Sequence, residues 1–107
     1  MYRHELRFVL RFGVREQFNA FAERLYQEET ASGWAPPRIW RATSGHVNQI
    51  VIEHAYTSLD AFRGERAAFH DDPGSVGEVL ARVSELAVPG TATEFEFDGV
   101  ELGGTAE

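Results

Sequence analysis

Residues Gly45 to Pro73 read GHVNQIVIEHAYTSLDAFRGERAAFHDDP. Ser44-Gly45-His46 has the small and polar residues of a tight turn, and Asn48 to Tyr56 is apolar on both faces, the pattern of a central strand. Thr57 and Ser58 then offer an N-cap. Leu59, Phe62, Arg66 and Phe69 recur at helical spacing, and Asp71-Asp72-Pro73-Gly74 stops the helix. One turn, one strand and one helix are legible in a single run.

Just upstream, Arg38 to Thr43 supplies the other arm of a hairpin. With Gly45 and His46 as the turn residues, Arg38 faces Glu53, Ile39 faces Ile52, Trp40 faces Val51 and Arg41 faces Ile50. That register puts Ile39, Ile50, Ile52, His54 and Tyr56 on the helix side of a sheet. Trp40, Ala42, Val51 and Ala55 fall on the opposite side; a three-residue loop would flip the second strand.

Further back, Trp34-Ala35-Pro36-Pro37 is a stiff connector, since prolines cannot donate to a sheet ladder. Before it, Phe18, Phe21, Ala22, Leu25 and Tyr26 make the apolar stripe of a helix that starts at Arg15 and stops before Gly33. The chain opens on an alternating strand, Tyr2 to Phe12. Tyr2, His4, Leu6, Phe8, Leu10 and Phe12 face inward, and Arg3, Glu5, Arg7, Val9 and Arg11 face outward.

Downstream, a third helix is expected over Ser75 to Ala87. Thr91 to Asp98 alternates as a fourth strand, with Phe95 and Phe97 expected inward. Residues 1–98 form one domain, and 99–107 read as a tail, frayed from Gly103 onward. The order β-α-β-β-α-α-β is a ferredoxin-like α+β fold with an antiparallel four-stranded sheet and one extra helix. The first and third strands are expected in the centre, parallel to each other.

Composition narrows the function. The 107 residues hold no cysteine, which excludes disulfides, thiolate metal sites and cysteine nucleophiles. The net charge is −7 and all ten basic residues are arginine, so no basic cluster invites nucleic acid and no lysine supports Schiff-base chemistry. The same bias is associated with GC-rich bacterial genomes. No apolar run approaches a membrane span, and no leader is expected before MYRHELRF. A cytoplasmic protein without membrane or nucleic-acid partners is the expectation.

Helices can cover only one face of such a sheet, yet the other carries Val9, Trp40 and Val51 with Ala42 and Ala55. Left in water this patch costs about 25 cal/mol per Å². Packing against a second copy removes it, so Val9, Trp40 and Val51 are the expected homodimer interface. The alternative is a monomer with a lone exposed Trp40.

The segment Gly45-His46-Val47-Asn48-Gln49-Ile50-Val51, followed by Tyr56-Thr57-Ser58-Leu59, resembles the core of the NIPSNAP family. Arg63, Arg66, Asp72, Pro73 and the opening Tyr2, Leu6 and Arg7 also fit its pattern, over about residues 2–98. The resemblance implies a dimeric α+β barrel, two sheets back to back with helices outside. Two positions depart from it: His54 stands where the family typically has a Trp, and Gly74-Ser75 follows the Asp-Pro where a Trp is usual. The wider superfamily includes cofactor-independent monooxygenases of antibiotic biosynthesis, which the Glu53–His70 segment loosely resembles.

Candidate ligand contacts are His54, Tyr56, Arg41 and Tyr26. His54 and Tyr56 share a face near a strand end, where histidine can move a proton and tyrosine can hold an oxyanion. The plainer reading, and the favoured one, is that His54 fills a Trp-sized place with one backbone hydrogen bond. Arg41, if inward, needs an anionic partner or must snorkel past the edge; Tyr26 is a contact or plain core. His4 is expected at the far end from His54, so the two share no metal. His70-Asp71-Asp72 reads as a helix end, and neither a metal nor a cofactor is expected. No Ser-His-Asp elbow, carboxylate pair or phosphate loop appears. The favoured function is binding of a small apolar or aromatic molecule between sheet and helices. The alternative is a cofactor-independent monooxygenase or isomerase of secondary metabolism.

Overall fold

The computed structural model describes residues 1–103. Its elements run β1 (Tyr2–Val9), α1 (Arg15–Ala31), β2 (Arg38–Arg41), β3 (Gln49–Tyr56), α2 (Leu59–Asp71), α3 (Gly74–Leu80), α4 (Val83–Leu86) and β4 (Thr93–Asp98). The four strands form one antiparallel sheet in the order β2-β3-β1-β4. The expected βαββ(αα)β order and the hairpin register are both present: Arg38 opposes Glu53, Ile39 Ile52, Trp40 Val51 and Arg41 Ile50. The turn is longer than two residues, and Asn48 takes a positive φ of 63° to re-enter the sheet.

One expectation is reversed. β1 and β3 are central, but they run antiparallel, with Tyr2 opposite Tyr56 and His4 opposite His54. The crossover through α1 makes β1 and β2 run the same way, and the hairpin then turns β3 against both.

α1 buries Phe18, Phe21, Leu25 and Glu29. It stops at Gly33, whose φ of 75° lets the Trp34 N–H donate to the Glu29 carbonyl at 2.9 Å. α2 starts on Ser58, whose hydroxyl accepts from the Ala61 N–H at 3.1 Å. Phe62 is the buried residue of α2. The single helix expected over Ser75–Ala87 is instead α3 and α4. Around the break the Arg82 N–H donates to Val79, three residues back, and the Ser84 hydroxyl donates to the Ala81 carbonyl, tightening the turn.

Phe8, Phe18, Phe21, Leu25, Ile50, Ile52, Val76, Val79 and Leu86 form the apolar core between the sheet, α1 and α3–α4. Each fully buried large side chain contributes about 1.5–3 kcal/mol. Phe12 is not in it: β1 ends at Val9, the Arg11 N–H donates to the Leu86 carbonyl, and Phe12 stands exposed in the turn beyond. Phe95 and Phe97 are also not inward. β4 pairs with β1 so that Phe95 opposes Glu5 and Phe97 opposes Arg3, which places both rings on the open face and turns Glu94 and Glu96 toward the helices. Register, not the hydrophobicity of the two rings, decides the side.

Candidate functional site

The helix side of the sheet divides into two ends. Leu6, Phe8, Ile50 and Ile52 meet the apolar core, while Tyr2, His4, His54 and Tyr56 form a polar aromatic layer at the other end. Phe62 of α2 covers this layer, its ring centroid 5.0 Å from Tyr2, 5.7 Å from His4 and 5.3 Å from Tyr56. The Arg66 guanidinium lies over Phe62 at 5.3 Å and reaches Glu94 at 3.4 Å and Glu96 at 3.7 Å.

Each polar group in the layer meets a carboxylate. His54, 8% exposed, has Nε2 2.7 Å from Oε1 of Glu29, itself 4% exposed in the last turn of α1. His54 is therefore held by a side-chain carboxylate rather than by backbone. His4 Nε2 lies 2.8 Å from Glu94, the Tyr56 hydroxyl donates to Glu65 at 2.5 Å, and the Tyr2 hydroxyl donates to Glu96. Glu65 also accepts from the Ala35 N–H at 2.7 Å, tying α2 to the proline connector.

Burial and the Glu65 carboxylate push the Tyr56 phenol well above its ordinary value. The hydrogen bond to Glu96, with burial, raises Tyr2. Both phenols are proton donors at ordinary pH, not phenolates.

The four expected ligand residues do not converge. His54 and Tyr56 share the layer. Arg41 is exposed at the β2 edge. Tyr26, half exposed, borders a shallow groove with Pro37 and Ile39. Glu29 and Glu65 went unread in the sequence, although Glu29 follows Leu25 by four residues on the buried stripe and could have been found there. His4, expected far from His54, stands beside it with ring centroids 6.3 Å apart. Among the described residues, no three metal-ligating side chains converge.

A separate cleft of about 450 Å³ opens between α1 and α3–α4. Phe21, Val79 and Leu86 of the core make its floor, with Gln17 and Arg24 on the α1 wall and Glu78 and Arg82 opposite.

On the open face, Trp40 is 54% exposed, Phe95 41% and Phe97 37%. Glu5 is buried beneath Arg3 and Arg7, at 3.2 Å and 2.7 Å, and these guanidinium groups lie over Phe97 and Phe95. The Trp40 indole N–H donates to the buried Glu53 at 2.8 Å. Val9 and Val51 sit on this same face, half-buried.

No protein-family model matches the chain, and no curated protein matches it in sequence. Solved structures do match. A NIPSNAP-family protein of unknown function from Agrobacterium tumefaciens superposes with a TM-score of 0.71 at 20% identity, over 96% of this chain and 91% of that one. The fold is that of the NIPSNAP proteins. A NIPSNAP domain protein from Burkholderia xenovorans agrees, with TM-score 0.69 and 17% identity over 98% of this chain and all of that one. A putative antibiotic biosynthesis monooxygenase from Nitrosomonas europaea has a TM-score of 0.69 at 13% identity, over 94% of this chain and all of that one. The NIPSNAP fold thus extends across the whole described domain, and the monooxygenase shares it. No described helix is long and apolar enough to cross a membrane.

Proposed function

We propose that the protein is a bacterial, cytoplasmic homodimer that binds a small apolar or aromatic molecule, not between its sheet and helices as expected but in the cleft between α1 and α3–α4. The cleft itself carries this reading: about 450 Å³ opens over three core side chains, Phe21, Val79 and Leu86, a volume suited to a small ligand. At the His54–Tyr56 end the corresponding space is taken by the Phe62 ring. The open face, with Trp40, Phe95 and Phe97, supports pairing with a second copy. The test is a titration with 2-naphthol followed by backbone NMR. Saturable shifts at Phe21, Val79 and Leu86 that vanish in Ala20→Trp, which fills the cleft, are expected; saturable binding that Ala20→Trp leaves intact, or none, refutes it.

A second reading, a cofactor-independent oxygenase or isomerase of a phenolic substrate, is favoured by one observation. His54 and Glu29 form a buried histidine–carboxylate pair beside the Tyr56 donor, an arrangement able to take a proton from a phenol once the Phe62 ring that covers this end swings aside. Dioxygen consumption with a hydroxyanthrone, abolished in His54→Gln, would support it. No consumption by the native protein removes the oxygenase, and no rearrangement of the substrate followed by proton NMR removes the isomerase.

A further inference from the structure

The cleft between α1 and α3–α4 has an uneven rim. Arg82 is paired with Glu85 at 3.8 Å. Among the described residues, Arg24 and Glu78 join no ion pair or side-chain hydrogen bond, yet both line the cleft. They come from opposite walls, Arg24 from α1 and Glu78 from α3.

α4 finishes beside the start of α1, where the Arg11 N–H donates to the Leu86 carbonyl at 2.8 Å and Leu10 bridges Ala87. α3, packed on α1, therefore lies farther along α1 than α4 does, toward the middle of the helix, where Arg24 is found. The cleft thus presents a donor on one wall and an acceptor on the other, above a floor that includes Phe21 and Val79.

We infer that this cleft takes a small apolar molecule whose polar end both accepts and donates hydrogen bonds: a primary carboxamide or an α-amino acid group. The carbonyl or carboxylate oxygen accepts from the Arg24 guanidinium, and the amide or ammonium N–H donates to Glu78. A plain carboxylate would gain Arg24 but meet Glu78, and a plain amine the reverse. A purely apolar ligand would use neither. The inference rests on the cleft being the binding site proposed above and adds the chemistry of the ligand's head.

A set of probes on one ring separates the two claims: phenylacetamide, L-phenylalanine, phenylacetate, phenethylamine and ethylbenzene, each titrated by backbone NMR. Exposed charges contribute modestly, so phenylacetamide or L-phenylalanine should bind about 3–10-fold tighter than each of the other three. Whichever of the two leads identifies the head as neutral or zwitterionic. In Arg24→Met and in Glu78→Leu that preference should disappear while ethylbenzene binding stays. Equal binding of all five probes, or a lead for phenylacetate or phenethylamine, overturns the inference and leaves the cleft as a site. Failure of every probe overturns both.

Discussion

His4 and His54 stand directly opposite each other on antiparallel neighbours, ring centroids 6.3 Å apart, yet each is engaged by a carboxylate from a different element. Glu94 on β4 meets His4 and Glu29 on α1 meets His54. The antiparallel ladder brings the two rings together, and each ring is tied to its own carboxylate.

The His54–Glu29 pair is the more buried of the two, so breaking it from one side leaves a carboxylate without its partner. His54→Leu should destabilise the fold by about 2–4 kcal/mol, and Glu29→Leu with His54→Leu should recover most of that. Urea melts of the two single variants and the double variant measure it. Additive losses would mean that the residues do not interact.

Tyr56 gives a pH dependence with a defined sign. Its folded pKa is raised above the ordinary value of 10.0. Below pH 10 the phenol is protonated in both folded and unfolded chains, and its contribution is fully present. As pH rises past 10 the unfolded phenol ionises first, so stability falls. Alkaline melts should show this decline in the native protein and a shallower one in Tyr56→Phe.

Gly77 has no room for a side chain. A Cβ there would lie 2.5 Å from the Cβ of Pro73, in a rigid ring one helical turn back. Gly77→Ala should cost about 1–3 kcal/mol through this overlap, and adding Pro73→Gly, which removes the opposing Cβ, should recover part of it. Thermal melts of both variants decide the matter; an unchanged Tm for Gly77→Ala would place the ring elsewhere.

The open face predicts its own disruption. Trp40→Glu with Phe95→Glu adds charge to both sides of the face without touching the core between sheet and helices. Light scattering should give twice 12.0 kDa for the native chain and 12.0 kDa for the variant. A native species of 12.0 kDa would remove the homodimer.

Phe62 is the buried anchor of α2. Phe62→Ala should cost about 3 kcal/mol or more and raise amide exchange throughout α2, while α1, held by Phe18, Phe21 and Leu25, keeps its protection. Equal loss of protection in both helices would show that they open together.

Much of this was readable from residue order. The hairpin register followed from the Gly45 turn and the alternation on either side, and the N-cap of α2 from Ser58. Strand direction was misread because sequence periodicity says which residues share a face, not which way a neighbour runs. Phe95 and Phe97 were misplaced for a related reason. In an edge strand with acids at every other position, the helix-facing side is set by pairing with β1, where Glu94 and Glu96 find His4, Tyr2 and Arg66. At the candidate site, His54 and Tyr56 were legible by parity. Their partners Glu29 and Glu65 were not, because a glutamate on a helix reads as solvated until the sheet beneath supplies a donor.

The division of the helix-side surface has a consequence for divergence. On one end, α1, α3 and α4 share a single core with the sheet, so a substitution there disturbs several elements at once. On the other, α2 is seated mainly by Phe62, and Glu65 and Arg66 beside it supply the carboxylate and guanidinium that address Tyr56, Glu94 and Glu96. Three neighbouring positions on one helix thus set what α2 brings to the polar aromatic layer, beside Glu29 from α1 and Glu94 and Glu96 from β4. A lineage could vary those three and acquire a different chemistry there, with the rest of the scaffold left as inherited.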